Sequence, residues 1–203
     1  MVVGGEQSTR GAVAYTRRMA AGVVLEIVAD RVELIEAAAL LLPVDGKLCR
    51  LGGAAAGALR AALDPEERAD ELAYVEEELT RMRPIPNAQA RAMDGVARWR
   101  KLLVAAAYPH NVDGVVYSSE ECAQMVRAAL ASAIVVAAAS EIRTLAATLI
   151  GTQYRMTPDV AVRAFVDGLA TARPHAVTVR WSLPDVAHRK LAELAGKRLG
   201  LVR

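Results

Sequence analysis

Residues 149–156, Leu-Ile-Gly-Thr-Gln-Tyr-Arg-Met, follow an apolar run at 142–147 and precede a periodic segment at 158–172. The run reads as a buried strand and the periodic segment as a helix. Gly151 and Thr152 then form a strand-to-helix turn, where α/β proteins commonly bind their ligands. Unpaired backbone N–H groups at such a turn hold anions, and the helix N-terminus adds positive potential. A second small-residue run, Gly52-Gly53-Ala-Ala-Ala-Gly57-Ala-Leu, leads into another helix. With so little side chain, this backbone can approach a ligand closely, or a neighbouring sheet. The chemistry on offer is recognition of phosphate by main-chain donors. The glycines near the start, Gly4 and Gly5, lack the Gly-Lys-Ser/Thr ending that grips phosphate and magnesium.

Other chemistry is sparse. Cys49 and Cys122 stand far apart, and His110, His175 and His188 are scattered with no metal-ligand spacing. No metal and no cofactor are expected, and reduced cysteines make the cytoplasm the default compartment. The formal net charge of +2 argues for neither nucleic acid nor an anionic membrane as partner. An acidic stretch at 66–78 and a basic C-terminal stretch (Arg189, Lys190, Lys197, Arg198, Arg203) read as solvated helix faces. Glu26 and Asp30 interrupt the apolar run after Arg17-Arg18 too early for an export signal. The Ala-rich stretch 128–139 reads as too short to span a bilayer.

With 203 residues and 54% hydrophobic content, the chain fits one soluble domain with a full core. Only 4% is aromatic, so that core must be Ala, Val and Leu in close packing. Residues 1–22 are set apart as an extension, and 23–203 as the domain; within the extension, 13–19 fits a strand or a short helix equally. Strands are expected at 23–28, 32–35, 87–93, 101–108, 142–147 and 177–181. The segment 36–43 reads as a passage out of the second strand, ending in a proline. The alternation at 177–181 suggests a half-covered sheet edge. Helices are expected from the glycine run, from Asp64-Pro65-Glu-Glu to about Met82, from Ser118-Ser-Glu-Glu, from Thr157-Pro158, and from Pro184-Asp185. Strands alternating with helices give an α/β fold with a mixed sheet between two helical layers.

The order of these pieces, from Val23 to about Leu194, resembles the macro domain family, a three-layer α/β/α sandwich whose members bind ADP-ribose. Four segments carry the resemblance. Residues 32–39 stand where the family has a strand running into Asn-Ala-Ala-Asn. Residues 52–59 stand where it has Gly-Gly-Gly-Val-Asp-Gly-Ala-Ile. Residues 86–90 and 101–108 match its short strand and the central strand after it. Residues 149–156 match its phosphate loop. The resemblance implies a ligand site formed by Glu26, Glu36, Ala39, Gly52, Gly53, Gly57, Gly151, Thr152, Gln153 and Tyr154. In it, Glu26 takes the place of an Asp that accepts from the adenine amino group, and Tyr154 closes over the ligand. Glu36 and Ala39 replace the two asparagines, Ala56 replaces a loop Asp, and Gln153 replaces a Gly. An alanine cannot bond a ribose hydroxyl or orient a water.

The resemblance therefore implies a degenerate site. The expected function is a module binding ADP-ribose or a related nucleotide or phosphorylated metabolite, without efficient hydrolysis. Two alternatives stand beside it. One is an ADP-ribosyl or O-acyl-ADP-ribose hydrolase with Glu36 as the only acid/base candidate. The other is a ligand-free module that contacts a protein partner or a second copy of itself. Trp181 reads first as core, and second as a platform for a base.

Overall fold

The computed structural model describes residues 13–19, 22–63, 68–109, 116–152, 156–173 and 175–198. Its centre is the strand β3 (Ala39–Asp45), a run of Leu, Ala and Val in which six of seven residues are buried. Such a run is what a strand covered on both faces requires. Its partner β5 (Lys101–Tyr108) lies parallel to it, Ala39 opposite Lys101 and Val44 opposite Ala106. Side chains alternate between faces with a period of two. Leu40, Leu42 and Val44 join Leu102, Val104 and Ala106 on one face, while Leu41 joins Leu103 and Ala105 on the other.

Five more strands complete the sheet: β1 (Val13–Arg18), β2 (Val24–Val28), β4 (Ala90–Asp94), β6 (Thr144–Thr148) and β7 (Thr178–Ser182). The spatial order is β1-β2-β7-β6-β3-β5-β4. The five inner strands are parallel, and the edges β1 and β4 run antiparallel to their neighbours. Residues 13–18, set apart in sequence as part of an extension, thus close one edge of the sheet.

Helices α1 (Gly53–Ala62) and α2 (Ala69–Met82) cover one face through Leu59, Val75 and Leu79. Helices α3 (Ser119–Ala139), α4 (Pro158–Thr171) and α5 (Val186–Arg198) cover the other through Val126, Phe165 and Ala192. The result is the three-layer α/β/α sandwich with a mixed sheet. Close packing stands in for bulk: a Cβ on Gly168 of α4 would lie 2.8 Å from the Arg127 carbonyl oxygen of α3. Helix α3 is 21 residues long and apolar enough to cross a bilayer, longer than the stretch 128–139 indicated, yet its Cys122, Val126, Ala129, Ala133 and Ala137 pack into the core.

Three expected elements differ. Residues 32–35 do not make a strand; Val32–Leu34 is a single 3-10 turn. The strand starts instead at Ala39 and runs through Pro43. Proline is tolerated there because β6 pairs with β3 only at Ala39 and Leu40, leaving the later residues paired on one side. The strand expected at 177–181 is not an edge: β7 lies between β2 and β6. Its alternation has another cause. Val179 and Trp181 enter the core, while Arg180 points to the opposite face, where it pairs with Glu26 and donates to the Glu36 carbonyl oxygen.

Candidate functional site

The connection after β3 goes to α1 on one face, and the connection after β6 goes to α4 on the other. Neighbouring parallel strands whose connections diverge leave a crevice at their carboxyl ends. Beyond the Leu40–Ala146 pair these two strands no longer pair. A cleft of about 380 Å³ opens beside that divergence, within the size range of small-molecule sites. Its floor is the ends of β6 and β7, at Thr148, Leu149, Ser182 and Leu183; α1 gives one wall through Ala54, Gly57 and Ala58; residues 31–33 and His188 give the other.

The glycine turns meet at this cleft. Gly53, the first residue of α1, has φ +72°, and Gly151 has φ +106°. Both are conformations that a side chain disfavours, so these turns require glycine. Gly52 is the N-cap and has no side chain to bond the free N–H groups of the first turn, and no acid stands in that turn. The positive end of α1 is therefore uncompensated by its own sequence. A Cβ at Gly52 or Gly57 would meet no atom within 4 Å. These two glycines are small next to open space, not next to a packed neighbour.

The opposite rim is polar. Arg31 pairs with Glu33 on that wall. Ser182, 6% exposed, donates to the Asp30 carbonyl oxygen at 2.7 Å and ties β7 to the end of β2. Asp185 accepts from the backbone N–H groups of Ala187 at 2.6 Å and His188 at 3.2 Å, which fixes the start of α5. Those bonds, with His188 the larger contributor, hold the Asp185 carboxyl below its ordinary value.

Of the residues expected at the site, Gly57 and Thr152 line the cleft, with Gly52, Gly53 and Gly151 in the turns that bound it. Gln153 and Tyr154 lie outside the described residues. Glu26, Glu36 and Ala39 are elsewhere. Glu26 is in the middle of β2, paired with Arg180 at 3.0 Å. Ala39 is fully buried at the amino end of β3, the end away from the cleft. Glu36 precedes it and lines a separate cavity with Arg98 and Arg180. The places of Glu36 and Ala39 follow from the misplaced strand: with β3 starting at Ala39, the carboxyl end that approaches α1 is Val44-Asp45-Gly46. Trp181 is core, 0% exposed and stacked on Phe165 with ring centroids 4.1 Å apart. Sequence reasoning missed Arg31, Thr148, Ser182 and His188. Thr148 and Ser182 are the last residues of adjacent parallel strands, and that position was the available signal.

No family model matches the chain, and no curated protein matches it. Solved structures do. A variant of the Oceanobacillus iheyensis macrodomain solved with ADPR superposes with a TM-score of 0.72 at 14% identity, over 91% of this chain and 97% of that one. Another variant of the same macrodomain gives 0.70 at 16% identity, over 91% and 96%. The Trypanosoma brucei macrodomain in complex with ADP-ribose gives 0.61 at 15% identity, over 84% of this chain and 68% of that one. At such identities the shared property is the arrangement of the backbone, and by that measure the chain has a macrodomain fold.

Proposed function

We propose that the chain binds ADP-ribose or a related nucleotide in the cleft at the carboxyl ends of β6 and β7, without hydrolysing it efficiently. The observation that carries this reading is the pair of glycine turns, Gly52-Gly53 with open space over Gly52, and Gly151-Thr152 with Gly151 packed against Met156 and Thr152 on the cleft, bounding one cleft of ligand size. Main-chain N–H groups at both turns are suited to phosphate oxygens. The fold is shared with macrodomains solved in complex with ADP-ribose and ADP, which makes an adenine nucleotide the first ligand to test.

The part given to Glu26, accepting from an adenine amino group, passes to Asp30. It is half-buried just past the end of β2, beside the cleft-lining Arg31. Weak catalysis fits the side chains. Glu36 lies away from the cleft, Ala56 has no group to orient a water, and the only carboxylate among the described lining residues, Glu33, is paired with Arg31.

Calorimetric titration at low salt tests the reading, with ADP-ribose as ligand and NAD as control. Binding in the micromolar range, weakened by Asp30→Ala, is the expected result. No heat and no thermal shift at millimolar ADP-ribose overturns it.

A further inference from the structure

Helix α3 has two uncharged faces, and the fold buries one of them. Cys122, Val126, Ala129, Ala133 and Ala137 pack into the core. On the opposite side of the helix, Gln124, Ala128, Ala131, Val135 and Ala138 follow one another at spacings of four and three. That is the seam spacing by which helices pack along one another. On this second seam Gln124 and Ala128 are exposed, Val135 is 39% exposed, and Ala131 and Ala138 are half-buried. Helix α3 packs on β5, α4 and β4, and its Ser132 hydroxyl accepts from the Ala90 N–H of β4 at 2.9 Å. Among the described residues, no element covers the outer seam.

A helix face in water ordinarily carries charged side chains. Between Glu121 and Glu141 the only charged residue is Arg127, and it turns sideways to Glu120 at 2.9 Å and to Asp167 of α4 at 3.5 Å. The charges stand at the ends instead. Glu120 and Glu121 lie at the amino end. At the carboxyl end the exposed Arg100 donates to the Glu141 carbonyl oxygen at 2.8 Å, and the exposed Arg143 follows two residues later, so that end is net positive. A second α3 laid antiparallel, centred on Ala131 and Ser132, sets Ala128 of each copy opposite Val135 of the other. It also brings the acidic end of each copy to the basic end of the other and opposes the two helix dipoles. The surface is thus complementary to itself about a two-fold axis. A bilayer is the poorer match, because the seam has no Trp, Phe or Leu to insert and no Lys or Arg beside it to meet anionic headgroups. The face measures about 30 Å by 10 Å, small for a permanent interface, which sets the pairing in the weak, reversible class.

We infer that the outer seam of α3 docks on the same seam of a second copy of this chain, antiparallel, to form a reversible dimer. No residue of α3 lines the cleft, so the inference stands apart from the nucleotide-binding reading.

The test is sedimentation equilibrium of the full chain from about 10 μM to about 1 mM, with Ala128→Glu, Val135→Lys and the double variant. The native chain is expected to pass from monomer to dimer across that range. Each single substitution puts a charge on the seam and weakens association by about tenfold or more. The double variant restores it, and so does an equimolar mixture of the two single variants, because Glu at 128 of one copy then faces Lys at 135 of the other. Ala128 and Val135 are exposed, so native thermal midpoints in the single variants separate lost contact from lost fold. A native chain that stays monomeric at the highest concentration overturns the inference. So does a dimer that both single variants leave unchanged, or one that neither the double variant nor the mixture restores. Binding of a monomeric native chain to vesicles of phosphatidylcholine and phosphatidylglycerol, lost in Val135→Lys, overturns it too and gives the face to a membrane.

Discussion

Gly57 sits one turn into α1 with nothing within 4 Å of where its Cβ would be, and it lines the cleft. Gly57→Leu therefore separates folding from binding. Replacing a mid-helix glycine by a better helix former favours the helix by about 0.5–1 kcal/mol. The same side chain occupies the space a ligand needs. The expected outcome is a thermal midpoint equal to or above the native one, with ADP-ribose affinity reduced by about tenfold or more. At this scale the glycines were legible because a glycine reports on backbone: Gly53 and Gly151 are glycine because their φ angles are positive. Thr148 was not legible. A threonine at the end of a strand is ordinary, and only its place on the cleft, a three-dimensional property, sets it apart.

Whether a helix start was readable depended on local bonds. Ser118 accepts from the Glu121 N–H, and the Glu121 carboxylate accepts from the Ser118 backbone N–H at 2.7 Å and hydroxyl at 2.8 Å. That capping box was visible as Ser-Ser-Glu-Glu, because every bond in it lies within four residues. The backbone bond, then the hydroxyl bond, lowers the Glu121 carboxyl below its ordinary value. A carboxyl lowered in the folded state contributes stability above its unfolded value and loses it as pH falls through the folded one. Glu120 is lowered in the same way by Arg127, and Asp185 by its backbone donors. The thermal midpoint should therefore fall as pH drops from about 5 toward about 3, with a shallower slope in Glu121→Gln. Strand β3 shows the opposite case. Val32-Glu-Leu-Ile alternates and carries β-branched residues, so it mimics a strand, whereas Ala37 to Pro43 is Ala- and Leu-rich with a proline. Its strand character comes from burial between β5 and β6, where packing overrides propensity. The misplacement shifted Glu36 and Ala39 from the amino end of β3 to the site.

At the scale of the molecule, the alternation of strands and helices sufficed for the three layers, since each amphipathic element must bury one face. The position of the cleft follows from topology: α1 and α4 leave β3 and β6 toward opposite faces, and their glycine turns come together at the carboxyl ends of the strands. A ligand held there contacts α1, β6 and β7 together, so binding stabilises the whole sandwich. By linkage, a nucleotide at a hundred times its Kd adds about 2.7 kcal/mol. Differential scanning calorimetry should show one unfolding transition that moves upward with nucleotide concentration. A transition that ignores concentration would mean no ligand binds the folded state.

On this reading the cleft, and no other surface, receives the ligand. Backbone amide chemical-shift mapping of the labelled chain titrated with ADP-ribose tests it most directly. The largest shifts are expected on Gly53, Ala54, Gly57, Thr148 and Thr152, with Arg31 and His188 next. Shifts centred instead on the cavity of Glu36, Arg98 and Arg180, or on the β4 edge, would contradict it.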